Sequence, residues 1–234
     1  MQTSLTHPET TREQQYQFLL ELERREGLSR LGLMSSHVWR DDPRHLCFLL
    51  ARYKFVSKLF SGLDKVLEVG CADAFGTRLV RQTVNAVVAS DFDPVFIRRN
   101  QERQDPGDKQ WPLAFRCHDM TTGPLSEGFD AVYAVDVIEH IPAEKERLFV
   151  GNMVQSLNPN GMALLGSPSL HSQAYASPGS KAGHINCKDE QGLRSLMGQF
   201  FHNVFIFSMN DEVIHTGFTP MAHYLWALGC HRRH

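Results

Sequence analysis

The stretch that decides the fold is VLEVGCADAFG, Val66 to Gly76. A short apolar run carrying one acid leads into a crowd of small residues, the pattern of a strand whose backbone then turns closely around a ligand. Gly-rich loops after a strand usually cradle phosphates at a helix N-terminus. The glycine spacing here disagrees with that use. A dinucleotide fingerprint needs G-x-G-x-x-G, and counting from Gly70 the second and third positions are Ala72 and Phe75. A bulky Phe at the third position obstructs the close helix–strand packing that the glycine serves. The lysine of a triphosphate-binding loop is also absent.

Outward from this loop, KVLEV, AVVAS, LAFRC, FDAVYAV and MALLG each read as a buried strand. Helical stretches lie between them, the clearest being Glu144–Leu157, ended by a turn at Asn158-Pro-Asn-Gly161. Strands alternating with helices predict a parallel sheet with right-handed crossovers. Upstream, residues 10–26 read as a helix with a Thr10/Glu13 capping box and Gly27 as its stop. A second helix starts at Asp42-Pro43, an N-cap acid before a proline, and Gly62 closes it. Downstream, a helix at Asp189–Phe201 precedes VFIFSM, a polar turn around Asn210-Asp211 and the apolar segment AHYLWALGC. Two late strands without a helix between them predict an antiparallel hairpin at one sheet edge. The expected fold is α/β, a Rossmann-like, seven-stranded, mostly parallel sheet with a C-terminal antiparallel hairpin and helices on both faces. Residues 1–62 form an N-terminal helical cap of the same domain, and residues 63–234 the core.

At 234 residues, 42% hydrophobic and 21% charged, the chain is long enough for one such domain. A net charge of -2 points to neither a nucleic-acid nor a membrane surface. The polar start MQTSLTHPETTREQQY lacks the apolar core of a signal peptide, and no run approaches a membrane span. Cys47, Cys71, Cys117, Cys187 and Cys230 are scattered and odd in number, which predicts reduced thiols and a cytoplasmic protein.

Glu68, Gly70, Ala72 and Ala74 occupy the four marked positions of E/D-x-G-x-G-x-G, with two glycines replaced by alanine. The run resembles motif I of class I S-adenosylmethionine-dependent methyltransferases. The resemblance implies that Glu68 lies near the ammonium of that cofactor, where a phosphate would be repelled. It also implies that Asp91, in SDFDP, accepts hydrogen bonds from the ribose hydroxyls, a task that suits a two-oxygen carboxylate. Phe92 is then suited to pack on adenine, Asp119 to contact the adenine amino group, and Met120 to supply packing or backbone contacts. FDAVYAVDVIEHIP matches the family's fourth strand and places Asp136 near the methionine part of the cofactor.

Methyl transfer is an in-line displacement that needs alignment, exclusion of water and, for a hydroxyl acceptor, removal of a proton. His140 is the candidate base, with Asp136 beside it. Asp136-x-x-Glu139-His140 also resembles an acid-x-x-Glu-His metal site of family members that methylate vicinal hydroxyls, with His171 or His184 to complete it. Three mixed ligands do not assign a metal, so no metal ligand is assigned and a divalent metal is the less favoured addition. The long polar segment 169–188 offers His171, Tyr175 and His184 for substrate recognition. HVWRDDP, residues 37–43, reads as a lid anchored by Trp39 or as the buried start of a helix. RRNQER at 98–103 reads as a solvated helix face, and the terminal HRRH as a disordered tail.

The expected activity is methyl transfer from S-adenosylmethionine to a small polar acceptor, by O-methylation of a sugar, nucleotide sugar or glycan precursor. The alternatives are an RNA or protein methyltransferase, disfavoured for RNA by the charge balance, and an inactive cofactor-binding regulatory protein. A small-molecule substrate and no membrane partner are expected, and the oligomeric state is not readable.

Overall fold

The computed structural model describes residues 9–103, 105 and 109–233. Five strands form where the apolar runs predict them: β1 (Lys65–Val69), β2 (Ala86–Asp91), β3 (Ala114–Cys117), β4 (Phe129–Val135) and β5 (Leu157–Pro168). Their pairings are all parallel, in the order β3-β2-β1-β4-β5. The strand order reverses between β1 and β4, so Gly70 and Asp136 emerge side by side at the carboxyl edge where open α/β sheets bind ligands.

The C-terminal part bears out the antiparallel pairing of the two late strands and raises the strand count from seven to eight. β6 (Phe201–Asn210) turns through Asp211, whose φ is 48°, into the short edge strand β7 (Val213–His215). The last strand, β8 (Tyr224–Arg232), lies inside the sheet, antiparallel to both β5 and β6. The sheet therefore has eight strands, ordered β3-β2-β1-β4-β5-β8-β6-β7. The three residues of β7 are too short to register as a strand in the sequence. His231 and Arg232 belong to β8, and Arg233 bonds the carbonyls of Phe200 and Gly198, so the expected tail is sheet up to there; His234 lies outside the described residues.

Eight α-helices complete the described chain: α1 (Gln17–Glu26), α2 (Leu33–Asp41), α3 (Pro43–Leu59), α4 (Thr77–Arg81), α5 (Pro94–Glu102), α6 (Ala143–Gln155), α7 (Pro178–Gly183) and α8 (Glu190–Gly198). Asp42 caps α3 by accepting from the Arg44 N–H, ahead of Pro43 at the first position. Gly27, at φ 79°, stops α1 as expected, but the Thr10/Glu13 box does not form. The Thr11 hydroxyl instead bonds the Glu13 carbonyl and a 3-10 turn, Gln14–Tyr16, precedes the helix. Asn158–Gly161, expected as a free turn, is absorbed into β5 where the β4–β5 register shifts.

Alternation along the strands sends apolar side chains to both faces. Leu67, Val69, Val132 and Ala134 pack with Phe149, Val150 and Met153 of α6 and Leu193, Leu196 and Met197 of α8. On the other face Val66, Tyr133 and Trp226 pack with Tyr53 and Val56 of α3 and with Phe60 just past its end. The helix expected as part of a cap is thus also a wall of the core. A Cβ at Gly229 would collide with the Phe201 ring between β8 and β6. Gly229→Ala is expected to destabilise the fold by about 1–3 kcal/mol, read as a lower urea midpoint; an unchanged midpoint would refute this packing.

Candidate active site

The loop after β1 is built on left-handed backbone. Gly70 has φ 77°, and Ala72 and Ala74 have φ 45° and 52°. The two alanines therefore keep the conformation that glycine adopts freely, at a cost of about 1–2 kcal/mol each for an L-residue. Several side chains hold them there. Asp91 Oδ2 accepts from the Ala72 N–H at 2.9 Å, Asn100 Nδ2 donates to the Ala72 carbonyl at 2.7 Å, and Arg103 donates to the Asp73 carbonyl at 2.7 Å. Ser35 on α2 donates through its N–H and its hydroxyl to the Asp73 carboxylate.

Glu68, which the resemblance puts near the cofactor's ammonium, is turned into the core. It is buried, and its oxygens accept from the hydroxyls of Tyr53 (2.7 Å), Thr77 (2.5 Å) and Tyr133 (2.9 Å). Burial pushes its pKa up to about 7 against the pull of those three donors. Asp91 is also buried, and its second oxygen accepts from the Asp93 N–H, so it braces the cofactor loop directly. Phe92 beside it is largely exposed, with its ring available for stacking. Asp119 is exposed, its Oδ1 taken by the N–H and hydroxyl of Thr121, while Met120 is buried with its carbonyl held by Asn152. Cys71 is buried and its thiol is pushed well up, chiefly by burial, as packing predicts.

At the end of β4 the chain takes a sharp turn at Asp136, φ 57°. Its N–H donates to the Gly166 carbonyl, and its Oδ2 pairs with Arg52 Nη1 at 2.6 Å. Arg52 sits over the Tyr224 ring, 4.1 Å from the centroid. A 3-10 turn, Ile138–His140, then presents Glu139 and His140. Glu139 is fully buried with neither oxygen hydrogen-bonded. Its pKa rises well above the usual carboxylate range through burial, with the Asp136 charge adding to this and Arg52 opposing it.

The segment 169–188 folds into a 3-10 turn, His171–Tyr175, and α7. It returns to the β4 edge, where the Asn186 N–H donates to the Glu139 carbonyl. This return brings His184 against His140, ring centroids 5.2 Å apart, and places ligand-capable atoms of Glu139, His140 and His184 within 4.8 Å of one another. Burial and then His140 lower the His184 pKa. His171 and Tyr175 do not join them: His171 borders Asp189 and Glu190, and Tyr175 is 92% exposed.

Sequence reasoning missed α2 and the cavity it makes with α5. HVWRDDP is neither a free lid nor a buried helix start, because it runs from α2 into α3 with Trp39 exposed. RRNQER is not merely solvated, because Arg98, Arg99 and Arg103 line a cavity of about 900 Å³ with Arg30 and Arg40, bordering the cofactor loop at Asp73. Those residues are far apart in the chain, so only charge counting across elements could have flagged them. Arg52, Tyr53 and Tyr133 were legible as helix and strand positions but not as polar partners.

Residues 66–161 match the family model described as a methyltransferase domain. The chain is 26% identical over 128 residues to the ubiquinone biosynthesis O-methyltransferase of Rickettsia canadensis (strain McKiel), covering 54% of this chain and 50% of that one. The corresponding protein of Rickettsia felis is 26% identical over 141 residues, 58% and 54% of the two chains. The chain thus spans about half the length of the curated relatives it matches. Among solved structures, the N-methyltransferase NodS of Bradyrhizobium japonicum WM9 with bound S-adenosyl-L-homocysteine superposes with a TM-score of 0.59 at 17% identity, covering 82% and 90%. A putative methyltransferase in complex with the Haloferax volcanii Trm112 activator reaches 0.63 at 15% identity, covering 86% and 96%. At these identities the structures speak for the fold. Residues 66–161 are thus a methyltransferase domain, and motif I and the sheet order around it follow the class I, S-adenosylmethionine-dependent pattern. No helix among the described residues is long and apolar enough to cross a membrane.

Two outcomes follow from the loop. Because the folded-state pKa of Glu68 is raised from 4.5 to about 7, the folded state binds the extra proton between those values. Its contribution is then full below about pH 4.5 and lost as pH rises to about 7, a fall of order 3 kcal/mol. Glu68→Gln should flatten that part of the stability profile in urea titrations at pH 5 and pH 8; a profile as steep as wild type would refute the assignment. Ala72→Gly should relieve strain and raise stability by about 0.5–1 kcal/mol after the entropy of glycine is counted, read as a higher melting temperature. A lower one would mean the left-handed turn is not the resting conformation.

Proposed function

We propose that the protein transfers a methyl group from S-adenosylmethionine to a hydroxyl of a small polar acceptor, a sugar, nucleotide sugar or glycan precursor. The observation that carries the oxygen acceptor is the cluster of Glu139, His140 and His184 at the carboxyl end of β4. An amine needs only its neutral form, whereas a hydroxyl needs groups that take or acidify its proton. The His140 Nδ1 lies 2.8 Å from the Gly183 carbonyl, which only accepts, so Nδ1 carries the hydrogen and Nε2 keeps its lone pair. As the new C–O bond forms, the C–S bond breaks, its electron pair neutralises the sulfonium, and the hydroxyl proton passes to this cluster. Asp136, held by Arg52, sets the charge beside the methionine end of the cofactor.

The Rickettsia relatives are themselves O-methyltransferases by name, which supports an oxygen acceptor. The arginine-lined cavity beside the cofactor loop favours an acceptor that brings an anionic group, as a nucleotide sugar does. The two alanines of motif I do not favour an inactive protein, since they preserve the glycine conformation.

Calorimetry should show binding of S-adenosylhomocysteine to wild type and its strong weakening in Asp91→Ala. His140→Ala should keep that binding and lower kcat by about 10²–10⁴. A radiolabelled methyl-transfer screen across sugars, nucleotide sugars, protein and RNA is expected to label a hydroxylated small molecule. Label found only in protein or RNA would overturn the acceptor class.

A further inference from the structure

The arginine-lined cavity is separate from the cofactor site. None of Gly70, Ala72, Asp91, Phe92, Asp119 and Asp136 lines it, and it borders the cofactor loop at Asp73. Arg30 and Arg40 enter it from the start and end of the α2 region, and Arg98, Arg99 and Arg103 from α5 and its end. The carboxylates that face these five cations are Asp73 and Glu102. Asp73 is already taken by the N–H and hydroxyl of Ser35 and the N–H of Phe75. Among the described residues, Arg30, Arg40, Arg98 and Arg99 form no ion pair with a carboxylate. A chain of net charge -2 thus gathers surplus positive charge in one concave place. Such a concentration of like charge favours an anion that enters it.

The lining also says which anion. All five cations are guanidinium groups, whose planar forks bind phosphate oxygens in pairs. A volume of about 900 Å³ suits a small molecule, whereas a nucleic-acid backbone needs an extended basic track. Leu31, Leu33 and Phe96 add apolar surface beside the arginines, on which a base or sugar can lie.

The same walls hold the cofactor loop. Asn100 and Arg103 donate to the Ala72 and Asp73 carbonyls from the α5 side, and Ser35 on α2 holds the Asp73 carboxylate. An anion that bridges the arginines of the α2 region to those of α5 draws together the two elements that keep the loop in its left-handed conformation. We propose that the cavity is a second ligand site, which takes the diphosphate of a small phosphorylated molecule such as a nucleoside diphosphate and, when filled, tightens the loop on the cofactor. The inference goes beyond the acceptor proposed above, since it needs cofactor binding but no particular methyl acceptor.

Calorimetry on the full chain tests it with inorganic pyrophosphate and uridine diphosphate as probes, with and without S-adenosylhomocysteine. Each probe should bind at one site per chain, more weakly as salt rises. Pyrophosphate should raise S-adenosylhomocysteine affinity about fivefold or more, and the reverse by the same factor. Arg40 and Arg99 are exposed, so the double variant Arg40→Gln/Arg99→Gln should fold. It should weaken both probes about tenfold or more and lose the coupling, while binding S-adenosylhomocysteine alone as wild type does. Arg116→Gln on β3 should change neither. No probe binding by wild type, undiminished binding by the double variant, or competition between pyrophosphate and S-adenosylhomocysteine overturns the second site. Probe binding that leaves S-adenosylhomocysteine affinity unchanged overturns the link to the loop. A wild type that binds the probes but not S-adenosylhomocysteine overturns the cofactor reading instead. In methyl-transfer assays, stimulation by pyrophosphate identifies a free effector, and competition with a nucleotide-linked acceptor identifies the acceptor's own diphosphate; both uphold the site.

Discussion

Glu68 is the interaction on which the rest of the structure depends. One buried carboxylate ties together α3 through Tyr53, α4 through Thr77 and β4 through Tyr133. Its own carbonyl accepts from the Ser90 hydroxyl on β2, so the neighbouring strand is pinned at the same level. Hydrogen bonds to a charged group are each worth about 1.5–3 kcal/mol, and a buried acid stripped of them would be costly. The central strand, the helix that packs over it and the helix after the loop must therefore assemble together. The acid that the family pattern places beside the cofactor acts here as the anchor of the loop that receives it.

That anchoring explains how two alanines can stand where glycines are expected. A left-handed alanine survives only where surrounding contacts over-determine it. Asp91 at the end of β2 and Asn100 and Arg103 in and just after α5 supply those contacts, and Ser35 on α2 fixes Asp73 between the alanines. The loop is consequently preorganised rather than pliable, which lowers the ordering cost of binding. It also couples the arginine-lined cavity to the cofactor loop, since Arg103 belongs to both.

The other edge of the site is organised by strain and enclosure. Asp136 takes a positive φ immediately after β4 and is secured by the Gly166 carbonyl and Arg52. The turn directs the next residues, Glu139 and His140, back over the sheet's carboxyl edge. The 169–188 segment then closes on them, with Asn186 buried and His184 packed on His140. A buried acid, two imidazoles and a paired Asp–Arg thus lie close together.

Much of the fold was legible in local pattern. Continuous apolar runs marked β1 to β5, Asp42-Pro43 marked the start of α3, and Gly27 the end of α1, because periodicity and cap chemistry act over a few residues. The motif order from Glu68 to Asp136 likewise pointed to the methyltransferase domain that residues 66–161 match. What a side chain faces was not legible, because that depends on residues distant in sequence. Glu68 turned inward because Tyr53, Thr77 and Tyr133 converge on it from three elements. His184, not His171, reached Glu139, because the chain folded back at α7. The sequence by itself determined the five parallel strands with most of the helices around them, the methyltransferase-domain motif and the position of the small-residue loop. Only the tertiary structure decided which carboxylates are anchors and which stand unpaired, since burial and partnership are set by packing between distant segments.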